Sequence, residues 1–351
     1  MKILRLEKGL SAKDRGRVHG ETFADDVKEL AEIRLGLISA AWQGASEKDV
    51  LALAEEHLPV LRKYDQDLYQ EFQGIAQAAG VTEAELLVLN HYTDLRDMGI
   101  TEKALEEGCS ILHARYDEEV LVAQTWDMHA TAEPFCLMMY LPDEGVWTLT
   151  VTGCLALCGL SSTGLAVAIN NLVMSDAKIG VSWPTLVRKM LRAGSVERAE
   201  DVLRDSPVGS GHHYALVDKK TSRAWESSGS RSVRVYDGKR SPYIHTNHCL
   251  DPDLDKLSRI SSTSTTHSRY SQASDLLQKN PRPNSDELWD MMACRIDFPR
   301  SLFTDRTTEL TPHGIATCAR VLMDCERLEI WARTGKDEDQ TPLKFDWATE
   351  E

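Results

Sequence analysis

Gly108 and Cys109 head the first strand-like stretch of this chain, and Asp127 stands eighteen residues further on. A free thiol titrates near 8.5 and a free α-amine near 7.7–8.0. A chain cut between Gly108 and Cys109 would therefore carry nucleophile and base on one residue, with no separate histidine required. Before such a cut no free amine exists, so the thiol must attack the Gly108 carbonyl in an N-to-S acyl shift. A glycine lacks a Cβ and permits the strained geometry that this shift prefers. Asp127 is suited to orient the new amine or to hold its ammonium form. Alone, Cys109 reads as an inert core cysteine and Asp127 as a turn cap. It is the setting that separates the readings.

That setting is a change of period at Gly108. Before it, apolar residues recur every three or four positions: Phe23, Val27, Leu30, Ile33, Leu37 and Ala41 predict one helix from Glu21 to Ala41. Ser46 with Asp49 and Thr82 with Glu85 are spaced as capping boxes, Pro59 is expected to break or bend its helix, and Gly80 to stop the next. After it come strand-like runs: Ser110–Arg115, Val120–Trp126, Phe135–Leu141, Val146–Val151 and Leu165–Asn170, then His213–Asp218, Arg223–Glu226 and Val233–Tyr236. Helices are expected at Thr185–Arg192 and Val196–Leu203, and packed helices between Asp251 and Ser285. The pattern predicts a helical opening followed by a mixed, mainly antiparallel α+β domain.

Composition narrows the function classes. The chain of 351 residues has 40 Lys and Arg against 55 Asp and Glu, a formal net charge of −15, which repels phosphate backbones and argues against nucleic acid. Its start, M-K-I-L-R-L-E-K-G, has no signal-peptide core, and no run approaches 18 apolar residues, so a cytoplasmic, non-membrane protein with its eight cysteines reduced is expected. No dinucleotide turn or phosphate loop occurs. Cys154 with Cys158, His212 with His213, and His245, His248 and Cys249 hold ligand types without zinc-site spacing, so no metal and no cofactor are expected.

The chain resembles the penicillin acyl-coenzyme A:isopenicillin N acyltransferase family of the N-terminal-nucleophile hydrolases. The resemblance rests on Gly16-Arg-Val-His19-Gly20-Glu21, Asn90, Gly108-Cys109-Ser110, Gln124-Thr-Trp126-Asp127, Gly159 through Asn170, and His245-Thr-Asn247-His248-Cys249 in that order. It implies a four-layer αββα sandwich with a helical N-terminal segment. It also implies self-cleavage into chain 1–108 and catalytic chain 109–351, which stay associated as one folded unit. Cys109 matches the nucleophile, Asp127 the nearby acid, Asn170 a core-strand asparagine, and Asn247 an oxyanion donor. Where fungal members have Ser-Arg-Gly before the last long strand, this chain has Pro312-His313-Gly314, which sets it apart from penicillin formation. Trp126, His313 and Arg269 are the candidate substrate contacts.

The expected activity is cofactor-independent hydrolysis of a small amide or N-acyl amine through a thioester. Coenzyme A-dependent N-acyl transfer is the first alternative. An unprocessed binding protein of the same fold is another, and an internal Cys109–His245 or Cys109–His313 protease a third. A homo-oligomer is compatible with all of them.

Overall fold

A computed structural model describes residues 1–42, 44–99, 108–239, 241–308, 314–335 and 341–347. His313 lies outside these. Six helices open the chain: α1 (Ala12–Thr22), α2 (Ala24–Ala41), α3 (Glu47–Tyr64), α4 (Gln66–Ala79), α5 (Glu83–Asn90) and α6 (Tyr92–Gly99). The single helix predicted from Glu21 is divided at Phe23, whose φ of −128° and ψ of 34° are not helical. Both capping boxes form, at Ser46/Asp49 and Thr82/Glu85. Pro59 does not break α3. It is exposed, so the carbonyl that loses its N–H partner can be hydrated. Helices α1 and α4 cross closely through glycines: a Cβ on Gly16 would lie 1.9 Å from Glu71 O, and one on Gly74 2.3 Å from Lys13 O.

The strands, in chain order, begin with β1 (Lys2–Arg5), β2 (Gly108–Tyr116), β3 (Glu119–His129), β4 (Cys136–Leu141) and β5 (Val146–Val151). Next are β6 (Cys158–Ser161), β7 (Ala166–Asn171), β8 (His212–Val217), β9 (Ser222–Ser227) and β10 (Ser232–Tyr236). The last four are β11 (Tyr243–His245), β12 (Ile315–Asp324), β13 (Glu329–Thr334) and β14 (Leu343–Phe345). They form an eight-stranded sheet, β1-β4-β5-β6-β7-β8-β9-β10, and a six-stranded sheet, β11-β2-β3-β12-β13-β14. Every pairing is antiparallel except β1 with β4. The opening hundred residues, expected to be helical, therefore also lend an edge strand to the larger sheet.

The two sheets stack, with Gln124 of β3 bonded through its side chain to the backbone of Ile169 on β7 at 2.9 Å. Helices α7 (Trp183–Ala193) and α8 (Val196–Arg204) pack on the eight-stranded sheet; α10 (Thr266–Lys279) and α11 (Ser285–Met292) cover the six-stranded one, after the short α9 (Pro252–Asp255). This is the αββα sandwich. The larger apolar core lies between the sheets and under the helical opening, and contains Cys109, Ile111, Val122 and Trp126. A second core joins Leu112, Leu121 and Ala123 to Ala273, Leu277 and Leu288 on the outer side. Alternation along β2 thus aims Cys109 and Ile111 between the sheets, and Ser110 and Leu112 toward α10.

Candidate active site

Cys109 is the second residue of β2, opposite Trp126, while Gly108 pairs with Asp127. A Cβ at Gly108 would lie 3.0 Å from both Arg269 Nη2 and Asp127 Oδ2. Gly108 is not in a positive-φ conformation. Close approach of a guanidinium and a carboxylate, rather than a strained backbone, is what favours glycine here.

The Cys109 backbone is gripped on both sides. Its N–H donates to Asn247 Oδ1 at 2.9 Å. Its carbonyl accepts from Asn170 Nδ2 at 2.9 Å and from Arg269 Nη1 at 2.8 Å. Asn170 reaches across from β7 of the facing sheet, and Asn247 comes from the loop after β11, which pairs with β2. Thr266, in the first turn of α10, holds that loop by accepting the Asn247 N–H at 2.8 Å. Arg269, one turn further along α10, also donates to Ser110 Oγ and Asn247 Oδ1, at 2.8 and 2.7 Å, and its Nε donates to Thr265 Oγ1 at 3.1 Å. Its donors lie against the backbone of the nucleophile, not along the cavity. Asn247 presents its oxygen to Cys109, and its Nδ2 donates to Asn171 O at 3.0 Å.

Asp127 is buried. Burial raises its carboxyl to about 6, against the pull of the Arg269 guanidinium and the Thr317 and Thr125 hydroxyls. Oδ1 accepts from Thr317 Oγ1 at 2.8 Å, and Oδ2 has no hydrogen-bond partner among the described residues. Thr317 sits where the β3–β12 register slips, between Thr317 and Ala319, a bulge that turns its hydroxyl to Asp127. The result is a proton-accepting oxygen beside Gly108.

A small cavity opens at Cys109, walled by Trp126, Ile169, Trp183, His212, Thr93 and Asn247. Its volume is 20 Å³, about the room for one water. Larger hollows of 770 and 760 Å³ lie on the surface of α3 and its neighbours and include none of the Cys109 site. Burial pushes His212 down to about 4, so a neutral imidazole faces the cavity. His245 does not serve as a base for Cys109: its ring nitrogens face Asn170 Oδ1 at 3.1 Å and Glu226 Oε1 at 2.9 Å. Among the described residues no group of His, Cys, Asp and Glu is arranged to hold a metal ion.

Four of the residues named from sequence, Cys109, Asp127, Asn170 and Asn247, meet at the head of β2, with Gly108 and Trp126 beside them. Sequence reasoning missed Thr317, Glu226 and His213. His213 left a signal, since it stands in a strand that runs on into Tyr-Ala-Leu-Val and needs a buried partner, whereas Glu226 lies in the polar strand Ser-Arg-Ala-Trp-Glu-Ser and left none. Thr317, in a run of small residues, left none.

Residues 114–338 match the model of the family described as acyl-coenzyme A:6-aminopenicillanic acid acyl-transferase. The match begins just past Cys109. No curated protein matches. Among solved structures, a mutant of conjugated bile acid hydrolase from Clostridium perfringens is similar at 14% identity, covering 68% of this chain and 92% of that one, with a TM-score of 0.46. Penicillin V acylase from Agrobacterium tumefaciens is similar at 14% identity, covering 67% and 84%, with a TM-score of 0.36. The chain belongs to the acyl-coenzyme A:6-aminopenicillanic acid acyl-transferase family, enzymes of the N-terminal-nucleophile type that act on carbon–nitrogen bonds through a cysteine.

Proposed function

We propose that this protein cuts itself between Gly108 and Cys109 and then transfers acyl groups through a thioester on Cys109. The observation that carries the reading is the grip on the Cys109 backbone, N–H by Asn247 and C=O by Asn170 and Arg269, beside an unpartnered Asp127 oxygen. In the precursor, Asp127 Oδ2 takes the thiol proton and the thiolate attacks the Gly108 carbonyl carbon. The C–N bond breaks as the proton passes to the Cys109 nitrogen, leaving a thioester and a free amine. Water then releases the Gly108 carboxylate and restores the thiol. Gly108 is a wall of the cavity, so cutting frees space where a substrate acyl group fits.

In the processed enzyme the α-amine takes over as base, with Asn247 Oδ1 orienting it. The amine accepts the thiol proton, the thiolate attacks the donor carbonyl, and the ammonium returns the proton to the leaving group. An acceptor amine then gives a proton to the α-amine as it attacks the thioester, releasing an N-acyl product and the free thiol. The second hydrogen on Asn247 Nδ2 is available to the oxyanion; loss of one such donor typically costs about 3–4 kcal/mol. Trp126 forms the wall along the acyl chain; His313, a candidate substrate contact from sequence, lies outside the described residues.

The family description names a transferase, which favours an amine acceptor over the hydrolysis expected from sequence and makes an acyl-coenzyme A thioester a natural donor. Hydrolysis is the same thioester met by water, and the room for one water beside Cys109 favours it as the side branch. Incubating processed protein with acyl thioesters or small N-acyl amines, with and without a primary amine, separates the two. Mass spectrometry should find the acyl adduct on the peptide beginning at Cys109, and N-acyl amine in place of free acid as the amine is raised. Free acid alone at saturating amine would make the enzyme a hydrolase, and no adduct from any donor would defeat the thioester.

A further inference from the structure

Asn170 begins a buried hydrogen-bond chain that the scheme above does not use. Because its Nδ2 donates to Cys109 O, its Oδ1 faces away, and two imidazoles converge there: His213 Nδ1 at 2.8 Å and His245 Nδ1 at 3.1 Å. An amide oxygen only accepts, so both Nδ1 atoms carry hydrogen. His213 completes a neutral ring, its Nε2 accepting from Tyr243 O–H at 2.9 Å. His245 is different. Its Nε2 meets Glu226 Oε1 at 2.9 Å, and the same carboxylate takes the Leu250 N–H at 2.6 Å and the Asp251 N–H at 3.0 Å.

Each oxygen of that carboxylate accepts a backbone N–H, Leu250 on Oε1 and Asp251 on Oε2, which suits a carboxylate that only accepts. His245 must then donate from Nε2 as well, which makes it an imidazolium paired with Glu226 inside the protein. The groups around it fit this charge. His213 stacks on it with ring centroids 3.6 Å apart and, through burial and the His245 charge, is held well below the usual histidine range. His248, with its ring 6.4 Å away, is pushed down to about 4 by burial, with lesser effects from His267 and His245. Glu226, His245, His213 and Asn170 are all fully buried.

We propose that Glu226 is the positioning residue for the nucleophile, holding both of its asparagines. Through His245 it turns the Asn170 amide toward Cys109 O. Through the Leu250 and Asp251 N–H groups it ties down the loop that carries Asn247. With Gln at 226, His245 keeps one ring hydrogen for which Asn170 Oδ1 and the residue-226 amide compete, and only one of the Leu250 and Asp251 N–H groups still meets an acceptor oxygen. The role rests on Cys109 being the nucleophile, but the ion pair can be tested without that.

Nitrogen-15 spectra of histidine-labelled, full-length Cys109→Ala protein at pH 8 distinguish an imidazolium from a neutral ring. We expect one charged histidine, absent when His245→Gln is added and neutralised when Glu226→Gln is added. In the otherwise native chain, Glu226→Gln should slow self-cleavage and lower kcat on the order of 10²-fold, the scale of a small misplacement of reacting groups, with KM little changed. A neutral His245 in the Cys109→Ala spectrum overturns the proposal even if Glu226→Gln fails to fold. So does a folded Glu226→Gln protein that cleaves and turns over at the native rate. A native chain that never cleaves defeats the Cys109 reading instead, and the histidine spectrum still decides the ion pair.

Discussion

Two charged side chains stand within 3.0 Å of where a Cβ on Gly108 would be, and both belong to the site: Arg269 Nη2 and Asp127 Oδ2. Gly108→Ala should therefore displace them, slowing self-cleavage at least tenfold and destabilising the precursor by about 1–3 kcal/mol, the cost of overpacking. A time course on denaturing gels and a melt in the Cys109→Ala background would check this; cleavage at the native rate would contradict it. Asp127 gives a pH signature. Since burial raises its carboxyl to about 6 and the base must be ionised, self-cleavage should fall about tenfold per pH unit below 6. The same shift bears on stability with the opposite sign to an ordinary salt-bridged aspartate. The folded state binds the proton more tightly, so its stability falls as pH rises from about 4 to about 6. Asp127→Asn should remove both dependences and leave slow cleavage throughout that range, measured by rapid pH shift of freshly refolded protein. At this scale Cys109 and Asp127 were legible because a helical period ends beside them. Thr317 was not, because a bulge rather than alternation aims it.

Between elements, the helical opening is tied to the rest by buried charge. Arg188 of α7 donates to Glu144 Oε2 at 2.5 Å and to Glu71 Oε2 of α4 at 3.3 Å, and Arg15 of α1 meets Glu71 at 2.9 Å. His19 adds a link, its Nε2 accepting the Gly153 N–H at 2.9 Å. Strand β1 adds a further link at the sheet edge. Breaking a buried pair from one side typically costs about 3–5 kcal/mol, because the partner charge stays buried alone. Arg188→Met should cost about that much and let the short chain dissociate after cleavage. Native mass spectrometry should show the two chains together in the wild type and apart in Arg188→Met; two chains that separate freely in the wild type would contradict the clamp. Helix periodicity revealed α2 to α5, but not α1, which lies almost wholly before the predicted start at Glu21, nor α6. It did not reveal β1 or β11, which have four and three residues, too few for alternation to register. Nor could it show that exposed Pro59 would be tolerated.

At the scale of the molecule, helices and sheets alike bury histidines as neutral rings. Burial pushes His19 and His57 down to about 3, and His113 and His212 down to about 4. Each takes up a proton only on unfolding, so the unfolded chain binds more protons between about 6.5 and 3. The stability these rings permit is present above 6.5 and lost as pH falls through that window, with Asp127 offsetting a part. Urea unfolding of the Cys109→Ala protein between pH 4 and 6.5 should show stability rising with pH; a flat profile would contradict it. No described helix is long and apolar enough to cross a membrane. The layered fold was readable from the switch in period together with the family motifs. The acceptor of the acyl group was not, since no spacing of residues encodes whether water or an amine meets the thioester.

The central claim is that Cys109 becomes an N-terminus. Intact mass spectrometry of freshly purified native protein, beside Cys109→Ala, tests it most directly. The native protein should resolve into chains 1–108 and 109–351, the second beginning Cys-Ser-Ile-Leu, while Cys109→Ala stays a single chain of 351 residues. A native preparation that turns over substrate as one intact chain, or a cut at any other bond, would contradict the account.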